Sequence, residues 1–588
     1  MIQQKHRNSY GYILILLYVA LHYISISGIY LQFTRDVLPS GDPFTYTVGF
    51  FNLLDLARKD FWEALHRAFT SNWYWLINIQ TVLFSPILIK EPFSIAIVNY
   101  IMWALASISM FRLCRLIELD FVFSFLATFL IWFFPINFGF LDYTSMPVLG
   151  LDSIFFAALQ MALFNTFIYA LDPQKLKNAI IAGLSFGIAV WGRGNSLIVV
   201  GMTIFLPILV VFIQLLKTRR KQLIIPFFMF AIISIAMTSI YFILQGGGIV
   251  GYYGHHANFV TRHAWNVHDA MPYFNNLPGF FIWRDENSVP TILITILLHI
   301  MTVVSLVMSF KNRKKSKLYS TLYFICVTGV FIYVTTYLIN IIFFTDPLMT
   351  IYNCLLIYAP MRIGITLSLF TLLATLVLNR KILLKPWLLI LGFIIFISYG
   401  IIFTKHNTPK SIFPPFASKV EAVAKNIDEI LEGKSLSMFW YQSYSPRILN
   451  YYRVKNSQPE INFYMNRYYN DIWQQYDYSE SKRLKVREEL KNHFEEASII
   501  LIPEYVDYFN SHFATAFAVM KDEFPKYLNS SASKQFVVRG VLQDRDGMRL
   551  LLLQRKTEAK GRGEPLKLPY GLSTDAIKVD YGEKVIRF

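Results

Sequence analysis

Charge is scarce in this chain. Only 16% of its 588 residues are charged, while 55% are hydrophobic and 17% aromatic, a balance that excludes water as the main solvent of the fold. Cysteine is scarcer still. Cys114, Cys326 and Cys354 fall in or beside different apolar segments without CxxC spacing, so neither a disulfide framework nor a thiolate metal site is indicated. The glycine run Gly246-Gly247-Gly248 lacks the Lys and Ser/Thr of a phosphate-binding P-loop. The first apolar stretch, Tyr12 to Phe33, lacks a small-residue cleavage site; following the basic Lys5 and Arg7, it is expected to stay as an anchor. No internal repeat of the transporter kind is visible.

Long apolar runs are what the chain does have. Stretches of about 20 apolar residues predict spans near 12–33, 93–111, 121–140, 148–171, 178–192, 196–216, 223–244, 290–310, 318–344, 361–379 and 386–404, about eleven crossings. A further stretch, Leu76 to Ile89, is short and interrupted by Pro86, and counting it would invert every later loop. With 76–89 placed in the membrane interface, the basic clusters fall on one side: the N-terminus, 112–120, 172–177, Lys217 to Lys221, Lys311 to Lys317 and 380–385. That side is the cytoplasm by the positive-inside rule. The net charge of +17 is then largely a topology signal, and no nucleic-acid partner is expected. The other side receives 34–92, a short loop at Asp142, the turn Gly192-Arg193-Gly194-Asn195, 245–289, 345–360 and everything after 405.

Beyond residue 405 the long apolar runs stop and charges of both signs appear. Leu436 to Tyr441, Ala497 to Ile502 and Met548 to Gln554 predict strands, and Ser481 to Phe494 has helical spacing. The expected architecture is an α-helical polytopic membrane protein with juxtamembrane helices, residues 1–404, and a C-terminal soluble α/β domain, residues 405–588.

The loop after the first span holds Asp36 and then Asp42-Pro43-Phe44-Thr45-Tyr46, followed by an amphipathic stretch from Gly49 to Phe69 and by Trp73-Tyr74-Trp75. An acidic residue and a nearby tyrosine soon after the first span, juxtamembrane helices, many spans and an outward C-terminal domain together resemble the GT-C superfamily of membrane glycosyltransferases. That superfamily includes the protein O-mannosyltransferases and lipid A aminoarabinose transferases, the family 39-like type. The resemblance implies a sugar donor linked to polyprenyl phosphate, a glycan, lipid or protein acceptor hydroxyl, and a catalytic acid in the first external loop. Asp42 is the position carried over, with Asp36 second and Tyr46 at the substrate. Asp42 also fits an Asx turn before Pro43. A bacterial inner (plasma) membrane is the expected setting, with the N-terminus cytoplasmic, the C-terminal domain outside and membrane lipids as neighbours.

Other outward residues fit substrate binding. Asp142 and Asp152 resemble the second acidic region of these enzymes, although Asp152 also fits a first-turn helix acid. Arg193, flanked by glycines, and Arg362, at the outer start of a late span, suit a lipid phosphate or headgroup anchoring. His255, His256, His263 and His268 crowd the 245–289 loop beside Asp269; a divalent metal is one use, but the spacing matches no zinc motif, and an aromatic binding loop is the better fit. Two other classes share the composition: a transporter or lipid flippase, and a surface-polysaccharide polymerase or ligase.

Overall fold

A computed structural model of the chain describes residues 2–33, 42–70, 75–132, 151–192, 196–218, 221–255, 289–343, 347–380, 385–407, 416–426, 436–438, 446–461, 499–503, 536–543, 549–556, 578–580 and 585–587. They form two compact units. The first comprises Met1–Gln32, Leu53–Tyr252 and Asp269–Thr408, and the second Phe33–Asn52, Tyr253–His268 and Pro409–Phe588.

Helices come first in chain order: α1 (Ile2–Phe33), α2 (Asp42–Lys59), α3 (Phe61–Thr70), α4 (Trp75–Leu83), α5 (Pro92–Leu116), α6 (Phe121–Ala127, continued by a 3-10 turn to Trp132) and α7 (Leu151–Leu171). They continue with α8 (Leu176–Val190), α9 (Ser196–Thr218), α10 (Lys221–His255), α11 (Val289–Asn312), α12 (Lys317–Phe343), α13 (Pro347–Asn379) and α14 (Trp387–Asn407). Six described segments are long and apolar enough to cross a membrane: Ala96–Leu116, Ser153–Leu171, Ser196–Lys217, Gln222–Ile249, Lys317–Thr336 and Pro360–Asn379. Many apolar side chains of these and of the shorter apolar helix Ile296–Asn312 face outward. Ile198 and Phe205 on α9, Ile225, Ile235 and Ile243 on α10, and Ile300 and Val303 on α11 are all exposed, a surface that water would penalise and lipid does not. The chain is an integral membrane protein.

Burial sorts these helices. The Ser153–Leu171 window of α7 is 94% buried and the Gln222–Ile249 window of α10 only 22%, so α7 is the central element and α10 a lipid-facing one. Polar pairs fix the interior: Asn165 on α7 donates to Ser109 on α5 at 3.1 Å and to Ser185 on α8 at 2.9 Å, and accepts from Arg112 at 3.4 Å. Each amide atom is thereby satisfied where no water reaches.

Some boundaries differ from the sequence reading. The stretch at 76–89 is the nine-residue α4 followed by a turn at 84–87; at ~1.5 Å per residue, α4 is far too short to span. α10 runs through Gly246-Gly247-Gly248 to His255 instead of ending near 244, and α13 begins at Pro347, so the residues read as a 345–360 loop are helical from 347 on. Glycine and proline interrupt helices less often in an apolar bundle, because a broken helix there would leave its backbone groups without water, and neighbouring helices can satisfy a carbonyl that proline frees.

The second unit contains α15 (Phe416–Asn426), α16 (Pro446–Lys455) and the strands β1 (Leu436–Met438), β2 (Ile499–Pro503), β3 (Phe536–Gln543) and β4 (Arg549–Arg555), with β5 (Lys578–Asp580) and β6 (Val585–Arg587) as a separate antiparallel pair. The four-stranded sheet has the order β1-β2-β4-β3: β1 runs parallel to β2, and β4 antiparallel to both β2 and β3. Ile499 to Leu501 and Leu551 to Leu553 are buried without alternation, as expected of central strands covered on both faces. The proposed helix Ser481 to Phe494 lies outside the described residues. Burial opposes ionisation of Glu421 on α15, but hydrogen bonds from Asn456 and Lys425 and the charges of Lys425 and Lys455 outweigh it and hold the carboxyl below its usual range.

Candidate functional site

Asp42 is the first residue of α2, with Pro43 immediately after it, where a fixed φ suits a helix start and a carboxylate complements the helix dipole. Tyr46 follows four residues later, one helical turn away. The later part of α2 is tied to the segment that precedes α5: Lys90 forms an ion pair with Asp55, and Arg58 donates to the carbonyl of Leu88. Leu53 and Ala57 of α2, Ala64 and Ala68 of α3 and Val82 of α4 share one apolar cluster, which fixes these three short helices as a group. On α3 the small buried alanines face that cluster while Trp62 is exposed, the pattern of a helix lying in an interface.

The head of α4 meets the bundle through aromatic rings. Trp75 packs edge-on against Phe69 (4.8 Å between centroids), Tyr241 of α10 (4.9 Å) and Trp191 at the end of α8 (5.4 Å). Hydrogen bonds reinforce the packing. The Trp191 indole donates to the Met237 carbonyl at 2.9 Å, Leu76 N donates to the Trp191 carbonyl at 3.4 Å, and Gln245 Nε2 donates to the Phe69 carbonyl at 2.8 Å. Gly192 lies so close to α7 that a Cβ there would stand 2.9 Å from Phe155 Cδ2, tighter than an unshifted side chain tolerates. Phe155 is one turn beyond Asp152, the second residue of α7, and Arg193 follows Gly192 directly. The helix head bearing Asp152, the turn leading to Arg193 and the aromatic wall at the head of α4 therefore share one end of the first unit.

Other bonds tie helix ends that carry basic residues. Arg115 at the end of α5 donates to Asn8 near the start of α1 at 3.1 Å, and Tyr319 at the start of α12 donates to Asn379 at the end of α13 at 2.9 Å. Arg362 is different. It is fully buried, and although α13 begins at Pro347 it lies at the start of the apolar span Pro360–Asn379. A cation held inside an apolar bundle is costly and is by default a functional feature.

Asp36, Asp142, Arg193 and His256, with His263, His268 and Asp269, lie outside the described residues. Asp42, Tyr46, Asp152 and His255, the last residue of α10, are placed by their helices alone. No group of three or more His, Cys, Asp or Glu among the described residues is arranged to hold a metal. Sequence reasoning missed Gln160. It lies midway along α7, 1% exposed, with both amide atoms lacking a partner among the described residues. Its signal was available as one of two carboxamides, with Asn165, inside the apolar run of α7, where burial without partners costs a few kcal/mol.

No family model and no curated protein matches the chain. Two solved structures of ArnT from Cupriavidus metallidurans are similar to it along most of its length. The one bound to undecaprenyl phosphate is 10% identical with a TM-score of 0.41, and the apo one is 11% identical with a TM-score of 0.39. Each match covers 93% of this chain and 99% of ArnT. At that identity and superposition, neither residue roles nor substrate carry over from ArnT to this chain.

Proposed function

We propose that the chain is a membrane glycosyltransferase of the GT-C type that moves a sugar from a polyprenyl-phosphate carrier to an acceptor hydroxyl on a glycan, lipid or protein at the extracytoplasmic face. The observation that supports it best is the convergence, at one end of the helical unit, of the α7 head bearing Asp152, the turn before Arg193 and the aromatic wall closing the α2–α3–α4 group. In this reading Asp42 removes the acceptor proton as the new bond forms, with Asp36 next in line, and direct displacement of the phosphate inverts the anomeric centre. Tyr46, Asp142, Asp152, His255 and His256 contact the sugar or acceptor. Arg193 and Arg362 offset the charge developing on the leaving phosphate; histidines of the 245–289 loop are the residues available to a divalent metal.

The same reading assigns about eleven spans, a cytoplasmic N-terminus and an outward α/β domain from 405 to 588, in a bacterial inner membrane. Tags near residues 314 and 560 should report opposite sides, with 314 cytoplasmic. In sealed, oriented vesicles, acceptor supplied on the side of residue 560 should be glycosylated and acceptor supplied on the side of residue 314 should not. Both tags on one side, or transfer from the side of residue 314, would overturn the assignment.

A further inference from the structure

The part of α2 from Asp42 to Asn52 belongs to the second unit, although the rest of the helix belongs to the first. Two contacts among the described residues seat it there, both on the segment formed by α16 and the turn after it. The fully buried Phe51 ring lies 5.9 Å from the Tyr451 ring at an interplanar angle of 31°. One residue on, Asn52 Nδ2 donates to Glu460 Oε1 at 2.5 Å. The other oxygen of Glu460 accepts from Asn450 Nδ2 at 3.3 Å, and Asn450 Oδ1 accepts from Ile461 N at 2.8 Å.

The surface that receives α2 is stiff. Arg453, buried in α16, donates from Nε to the Pro459 carbonyl at 2.7 Å and from a terminal nitrogen to the Ala424 carbonyl at 3.1 Å. Gln458 N closes the turn on the Arg453 carbonyl at 2.9 Å, and Ser457 takes a left-handed φ of 60° within it. The Asn52–Glu460 bond is exposed and adds little stability, but it is directional and sets the rotation of α2 about its axis; the buried ring pair holds the helix down. Asp42 lies about ten residues away, or roughly 15 Å along the same helix, which transmits any tilt at Phe51 to its head.

We propose that Tyr451 and Glu460 are positioning residues for Asp42: the C-terminal segment sets the placement of the acid without touching substrate. The inference rests on the reading of Asp42 as the base. A misplacement of about 1 Å at a reacting group costs on the order of 10²-fold in rate, so a modest loosening of the seat is visible in turnover.

The test uses the full-length protein in detergent or nanodiscs and two independent readouts. Asn52→Asp opposes two carboxylates at the seat, and Tyr451→Leu removes the ring while keeping an apolar side chain. In each, amide hydrogen exchange across residues 43–52 should rise about tenfold while exchange in α7 stays unchanged. Turnover should fall about tenfold or more, with KM for the lipid donor unchanged. Combining Asn52→Asp with Glu460→Gln restores a donor–acceptor match of reversed polarity and should recover both exchange and turnover to within about threefold of wild type. Unchanged exchange in both single variants overturns the seat. Faster exchange with unchanged turnover overturns the positioning role if Asp42→Asn is inactive; if Asp42→Asn is also fully active, the catalytic reading of Asp42 fails instead and takes the positioning role with it.

Discussion

Asp42→Asn should lower sugar transfer by about 10²- to 10⁴-fold, the usual worth of a positioned general base. The substitution keeps the volume of the side chain and its capacity to accept a hydrogen bond at a helix start, so α2 should still form and the protein should remain monodisperse. Affinity for the lipid donor should stay near that of wild type, because the lost interaction is one that matters as the acceptor proton leaves. Asp36→Asn is the necessary comparison, since Asp36 precedes Asp42 by six residues in the same loop. An inactive Asp36 variant beside an active Asp42 variant would move the base to Asp36. Normal transfer by both would leave Asp42 as a helix-start residue and remove the main support for the enzyme reading.

Gly364→Leu should be among the most damaging single changes in the helical unit. At the crossing of α12 and α13, a Cβ on Gly364 would stand 2.5 Å from the Gly329 carbonyl oxygen, and a Cβ on Gly329 would stand 2.7 Å from the Gly364 carbonyl oxygen. The obstacle in both directions is backbone, which cannot swing aside as a side chain can. The two helices are held at this distance by the backbone contact itself and by neighbouring polar bonds: Ser305 of α11 donates to the Ser368 carbonyl at 2.7 Å, and its hydroxyl lies 3.3 Å from Cys326 Sγ. Small residues that permit such approach are a main source of helix association in lipid, where no hydrophobic force draws helices together. Overpacking of this kind typically costs about 1–3 kcal/mol, and backbone opposition places Gly364→Leu at or above the upper end. The apparent melting temperature in detergent should drop by several degrees or more and the monodisperse fraction should shrink. Gly201→Leu, on α9 where an added Cβ meets nothing within 4 Å, should behave as wild type. Equal melting of the two variants would contradict the close crossing.

What was legible from sequence follows from what lipid and water each punish. Apolar runs bounded by charge located the helices because a spanning segment has to satisfy its own backbone bonds and present apolar side chains to lipid; the starts of α5, α9, α11 and α12 lie within about two residues of the positions read from composition. Helix ends inside apolar surroundings were less legible. Gly246-Gly247-Gly248 and Pro360 look like stops by soluble-protein rules, yet α10 and α13 pass through them. In the second unit, β2 and β4 coincide with unbroken apolar runs, whereas β3 was missed because Arg539 and Gly540 interrupt its run, at the place where its pairing with β4 shifts register between Val538 and Gly540. For the candidate site, the sequence drew out charged residues, Tyr46 and the Trp73-Tyr74-Trp75 run, but had no means of joining Trp75 to Trp191 and Tyr241 in one aromatic wall, since nothing local distinguishes those two rings from ordinary core. Arg362 was visible as a charge at the start of a span, but its full burial required the packed bundle to be seen.

Transfer from a lipid-linked sugar leaves the carrier lipid behind, so the fate of the lipid separates transfer from transport. Proteoliposomes holding the purified wild-type protein and a polyprenyl-phosphate sugar labelled in both parts should be given acceptor, then extracted and analysed by mass spectrometry. The expected result is free polyprenyl phosphate appearing in step with glycosylated acceptor, and no such release when acceptor is withheld or when Asp42→Asn replaces the wild type. Intact lipid-linked sugar crossing to the opposite leaflet, with no polyprenyl phosphate released, would contradict transfer and identify a flippase.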